Sequence, residues 1–278
     1  MGIWLLLGYG LFVGSLVNVL IYRLPRGMGW VKGRSHCPHC KKILRWYDLV
    51  PVLSWIWLKG KCRNCRKPIS VLNPIVELVN AVVWGYVGYG GSVGFKLAGI
   101  GELGWSGVNL IHLIAALILS STLLVILVVD WEHYVIPDEM TVTMLAVGAV
   151  LSILEGMGGG PLLHLGFEGQ GGMWKERLIA VAASGLMFWG LHKLTKGKGM
   201  GWGDVKLVPV MGLILGRFVV VGLFAAFLLG SVVGIGLLLA GRKKFGQPVP
   251  FGPFLVGGMI IALVFGRQAL DWYVGGMI

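Results

Sequence analysis

The chain is poor in charge, and poorest in acids. Only 13% of its 278 residues are charged, and 24 Lys and Arg face 12 Asp and Glu. With 56% hydrophobic residues and a mean hydropathy of +0.81, an ordinary soluble domain of this length is excluded. Strand-type alternation is also missing, which excludes a membrane barrel. Several apolar runs instead approach or exceed the ~20 residues needed to cross ~30 Å of hydrocarbon. The expected fold is an all-α polytopic membrane protein.

Other absences narrow the chemistry. No HExxH occurs, so zincin-type hydrolysis lacks its signature, and neither a Walker loop nor a dinucleotide fingerprint is present. No internal repeat of the kind that marks many proton-coupled transporters is visible. Nothing resembles a nucleic-acid groove, so no nucleic-acid partner is expected. Topology and attraction to anionic membrane lipid explain the net charge of +12.

Cysteine is scarce but concentrated. All four lie in Cys37-Pro-His-Cys40 and Cys62-Arg-Asn-Cys65, two C-x2-C pairs separated by 21 residues. That spacing places Cys37, Cys40, Cys62 and Cys65 as ligands of one tetrahedral Zn²⁺. Four thiolates close the shell, so the metal is expected to be structural, with His36 and His39 as bystanders.

Charge sets the topology. Twelve of the 24 basic residues fall between Arg23 and Lys67 against the single acid Asp48, which makes that segment cytoplasmic and the N-terminus external. Eight spans are expected, near 3–22, 71–89, 108–130, 138–154, 177–195, 204–216, 218–240 and 254–274. The domain division is a first transmembrane helix at 1–22, a cytoplasmic zinc module at 23–70 and a transmembrane bundle at 71–278. Gly-rich outer connections are expected over 90–107 and 155–175, the latter containing His164.

A few polar residues sit where lipid should still be felt. Asp130 ends the apolar run SSTLLVILVVD, at a cost of roughly 2.5–3.5 kcal/mol on insertion scales, so it should face a polar site and have a partner. Asp204 follows the glycines of GKGMGWGD, which let backbone pack closely or bend beside it, and the topology brings it to the same face. Asn18 wants a hydrogen-bond partner, Glu77 reads as a cap or half of an ion pair, and Asp138 reads as the N-cap of the next span. Trp131 to Tyr134 read as a tight turn.

Taken together, GSLVNVLIYRLP, CPHC with KCRNCRKPIS, WYDLVPVLSW, DWEHYVIPD, GMGWGDVKL and PVPFGPFL fall in the order found in the type IV prepilin peptidase family, which the chain resembles over nearly its whole length. It departs at Leu49, where members often have Asn, and at Leu72-Asn73, where a basic–aromatic pair is common. The resemblance implies a GxGD-type intramembrane aspartyl protease of the bacterial plasma membrane, with catalytic aspartates at Asp130 and Asp204. It implies prepilin or pseudopilin substrates, cut at the cytoplasmic face. It also implies N-methylation of the new terminus with S-adenosylmethionine, whose binding residues the sequence leaves unknown. Two carboxylates in one partly desolvated site would share a single proton.

Overall fold

The computed structural model describes residues 3–31, 33–89, 107–156, 170–197, 199–244 and 247–275. Among them the chain is helical and has no strand. Its helices are α1 (Ile3–Arg23), α2 (Leu53–Trp57), α3 (Leu72–Tyr89), α4 (Gly107–His133), α5 (Asp138–Gly156), α6 (Gln170–Leu194), α7 (Trp202–Leu215), α8 (Val219–Leu239) and α9 (Gly252–Gly275). Among the described residues, four helical stretches are long and apolar enough to cross a membrane: Ile3–Arg26, Leu110–His133, Trp202–Leu239 and Gly252–Tyr273. Of the connections expected over 90–107 and 155–175, residues 90–106 and 157–169, His164 included, lie outside the described residues.

The chain forms two compact units, Met1–Tyr89 with Ala116–Val125, and Gly90–Ala115 with Ile126–Ile278. In the first, α1 lies against α3 through glycines: a Cβ on Gly10 or Gly14 would stand 2.7 Å from Ala81 Cα or Glu77 Cα. Such close backbones are how helices associate where water gives no hydrophobic drive. Polar groups in this unit are paired internally. Asn80 donates to Gly10 O at 2.8 Å, Ser121 Oγ donates to Asn80 Oδ1 at 2.9 Å, and the Trp84 indole donates to Ser121 at 2.9 Å. Asn18 finds the partners it needs in Asn73 O at 3.0 Å and Glu77 Oε1 at 3.3 Å.

In the second unit, a Cβ on Gly212 of α7 would stand 2.9 Å from Ala180 O of α6, and one on Gly222 of α8 would stand 3.3 Å from Gly258 O of α9. Arg177 and Glu155 form a buried ion pair at 2.5 Å, with Ser152 also taking an Arg177 N–H. On α8, Val220, Phe224, Leu228, Val232 and Ile235 are all exposed, an apolar face that suits lipid.

Three expectations shift. Helix α4 runs on through His133, so Trp131 to His133 are helical and the turn is confined to Tyr134 at φ 57°, whose N–H bonds Asp130 O at 2.9 Å. Asp130 is thus inside the last helical turn. Helix α6 starts at Gln170, taking in residues expected to be loop, because extending a nucleated helix costs little. Asp138 opens α5, but its carboxylate is held by Lys206 Nζ at 2.7 and 2.9 Å, while Pro137 O receives the N–H groups of Met140 and Thr141.

Candidate functional site

Two buried carboxylates lie close together in the second unit. Asp130 is 5% exposed and Asp204 7% exposed, and each is near enough to feel the other's charge. Asp204 occupies the first turn of α7, after the N-cap Gly201. Its carboxylate turns back toward that glycine: a Cβ on Gly201 would stand 3.3 Å from Asp204 Oδ2. The glycines that precede it have distinct tasks. A Cβ on Gly203 would stand 2.9 Å from Ile136 Cβ, so a bare backbone here brings the start of α7 against the turn that follows Asp130. Gly197, at φ 74°, reverses the chain, and its N–H bonds His192 O at 2.9 Å. The imidazole Nδ1 of His192 lies 3.0 Å from Met200 O and its ring 5.1 Å from that of Trp202, which ties the loop to α6.

Asp130 is held from the last helix. The backbone N–H of Gly252, the first residue of α9, donates to Asp130 Oδ2 at 2.8 Å in a buried bond. Only glycine fits there, since a Cβ would stand 2.6 Å from that oxygen. Phe251 fixes the approach through ring contacts with Phe227 at 5.2 Å and Phe188 at 6.4 Å. Asp130 therefore carries a fixed N–H on one oxygen, and Asp204 lies near enough for the two charges to act on each other. Two carboxylates so coupled are equipped for acid–base work on a bound water, one accepting a proton as the other donates.

The four cysteines meet in the first unit. Their sulfurs all lie within 4.8 Å of one another, and Cys37 Sγ is 3.9 Å from Cys65 Sγ. Tetrahedral zinc–thiolate bonds of about 2.3 Å put sulfurs about 3.8 Å apart, so the cluster fits such an ion. The two pairs fold alike. Lys41 N–H bonds Cys37 O at 2.9 Å and Arg66 N–H bonds Cys62 O at 3.0 Å, with Lys41 and Arg66 both left-handed at φ 58° and 59°. The Cys65 backbone N–H holds the Cys62 thiol down to about 7. The Lys67 N–H favours the Cys65 thiolate, yet desolvation and the neighbouring thiols push that group up to about 11. Metal binding must displace such protons, so affinity falls as pH drops. Neither His36 nor His39 belongs to the cluster.

Comparison with known proteins bears on both centres. Residues 9–90 match the bacterial Peptidase A24 N-terminal domain, and residues 117–239 match the type IV leader peptidase family. A prepilin leader peptidase/N-methyltransferase of Aeromonas hydrophila is 32% identical across 96% of this chain and 91% of its own length. The chain belongs to the type IV leader peptidase family. A prepilin leader peptidase/N-methyltransferase of Bacillus subtilis is 30% identical across 96% of this chain and 95% of its own length. Another, of Myxococcus xanthus, is 33% identical across 83% of this chain and 62% of its own. No solved structure matches the chain.

In this leader peptidase the two aspartates singled out in the sequence are brought together, and so are the four cysteines. Gly252 escaped the sequence reading. The signal for it was a glycine between Phe251 and Pro253 at a helix start, a place where backbone N–H groups have no helical partner and point outward. His192 carried no sequence signal, because its partner Met200 is fixed only once the glycine loop has folded back.

Proposed function

We propose that the protein is a membrane aspartyl endopeptidase that removes the leader of type IV prepilins or pseudopilins and then N-methylates the new terminus, with S-adenosylmethionine as donor. The observation that carries this reading is the pairing of Asp130 and Asp204 in one buried site of a leader peptidase, with one oxygen of Asp130 held by the Gly252 N–H. In the proposed reaction the ionised aspartate takes a proton from water as it attacks the scissile carbonyl. The protonated one donates to the carbonyl oxygen, and no acyl-enzyme forms. The eight-span topology belongs to the same proposal: residues 1–22 as a first span, 23–70 as a cytoplasmic zinc module and 71–278 as the bundle that carries the aspartates, in a bacterial plasma membrane. Incubating purified protein with a prepilin and labelled S-adenosylmethionine tests it. Mass at the new N-terminus should show leader loss and one added methyl group; an uncut substrate would end the peptidase reading.

Zinc is the metal proposed for Cys37, Cys40, Cys62 and Cys65, and with four thiolates it has no open position for water. Its work is to hold the 23–70 segment, which has little core of its own. Metal analysis should find about one zinc per chain in the wild type and close to none in Cys37→Ser, together with a lower unfolding temperature. A variant that lost its metal but unfolded at the wild-type temperature would contradict the structural role.

A further inference from the structure

Glu77 is the acid whose surroundings neither centre explains. It is 8% exposed, sits on α3 in the first unit, and lines a cavity of about 250 Å³. The Val52 N–H donates to it at 2.7 Å, the Asn18 amide at 3.3 Å, and the Ser15 hydroxyl also bonds to it. All three donors are neutral. Among the described residues no cation pairs with it. A buried carboxylate that keeps its charge without a counter-ion is costly, so the cavity has reason to take a positively charged occupant.

The rest of the wall says more about that occupant. Tyr22 and Trp55 offer aromatic surface, and Asn18 and Asn73 border the same space. Two cations reach the wall, but both are engaged: Arg63 with Asp48 at 2.8 Å, and Arg23 with the carbonyls of Gly29, Gly33 and Arg34 at 3.2–3.3 Å. The cavity, which also reaches Cys37 and Cys62 and has Arg23 on its wall, therefore offers a carboxylate with no cation bonded to it, flat apolar faces and hydrogen-bonding amides. An organic cation with an aromatic base and a polar sugar matches all three features.

We infer that this cavity is the S-adenosylmethionine site, with the Glu77 carboxylate facing the sulfonium; the inference rests on the methyl-transfer half of the proposed function. When bound, the donor supplies a methyl carbon whose bond to sulfur breaks as the lone pair of the substrate amine takes it, leaving a neutral thioether and, after one proton passes to water, a methylamine. The part of this chain is binding. Glu77 answers the positive charge, Val52 and Asn18 hold Glu77 in place, and the aromatic rings accept the base.

The test is equilibrium binding to the purified full-length protein, by titration with S-adenosylmethionine and, separately, with its neutral thioether product S-adenosylhomocysteine. Glu77→Gln keeps an acceptor for Val52 and removes only the charge. It should weaken S-adenosylmethionine binding by about tenfold or more and the thioether by clearly less. Ser54→Phe, which puts a ring into the cavity and leaves Glu77 alone, should weaken both ligands; it decides the matter if the Glu77 variant fails to fold. Should the wild type bind no S-adenosylmethionine, the methyl-transfer reading falls and takes this site with it. If the wild type binds it and both variants bind it equally well, the site alone is overturned, and the cavity is left to some other cation such as the substrate's terminal ammonium. Equal losses for the two ligands in Glu77→Gln would overturn the pairing of Glu77 with the sulfonium.

Discussion

Asp130→Asn and Asp204→Asn should each abolish leader cleavage, lowering kcat by about 10²–10⁴-fold or more, the range expected for losing a general acid or base. The double variant should be no slower than either single one, because residues that act as a unit lose their contribution once. Both carboxylates are buried and coupled, so each depends on the other being present in the right protonation state. Asn preserves shape and removes only the titrating group, which separates chemistry from packing. Asp138→Asn is the contrasting case. Its partner Lys206 is exposed, so the loss should stay below about 1 kcal/mol of stability with turnover intact. Methylation of a pre-cleaved pilin should survive in both single variants, since a neutral amine and a bound donor need no acid–base pair. Near-normal cleavage by either single variant, at equal expression in membranes, would rule out the dyad.

Gly252→Ala should be nearly as damaging to cleavage although it adds one methyl group. The new Cβ would stand 2.6 Å from Oδ2, 2.9 Å from Cγ and 3.1 Å from Cβ of Asp130, so the carboxylate or the start of α9 must move. A displacement of about 1 Å in a reacting group can cost about 10²-fold in rate. The expected signature is a fall in kcat of that order with little change in KM for the prepilin. Overpacking should also cost about 1–3 kcal/mol of stability. Gly234→Ala on α8 is the control, since nothing lies within 4 Å of the added carbon. If Gly252→Ala cleaves at the wild-type rate, the N–H on Asp130 is not what sets that side chain.

Much of this was legible in the sequence, for identifiable reasons. Long apolar runs have one solution in lipid, so the helices were readable from composition and length. Asp130 stood out because a carboxylate at the end of such a run is expensive, and the cysteines because metal geometry imposes a spacing. What stayed hidden depended on contacts far apart in the chain. Asp138 looks like a cap locally, and only the fold sets it beside Lys206, 68 residues on. Glu77 looks like a helix-end residue, yet its closest donor is the backbone of Val52, which no side-chain pattern can announce. The end of α4 was missed for a smaller reason: Tyr134, a bulky residue, takes the left-handed conformation usually left to glycine.

The bond from Gly252 to Asp130 spans 122 residues, and this has a consequence for how the protein is made. At a synthesis rate of about 5–20 residues per second, Asp130 leaves the ribosome roughly 6–24 s before the residue that will hold it. During that interval the nascent chain can already contain both aspartates, but not the N–H that orients one of them. If Asp130 works as proposed, the nascent chain gains a correctly held carboxylate only after the start of α9 has been made.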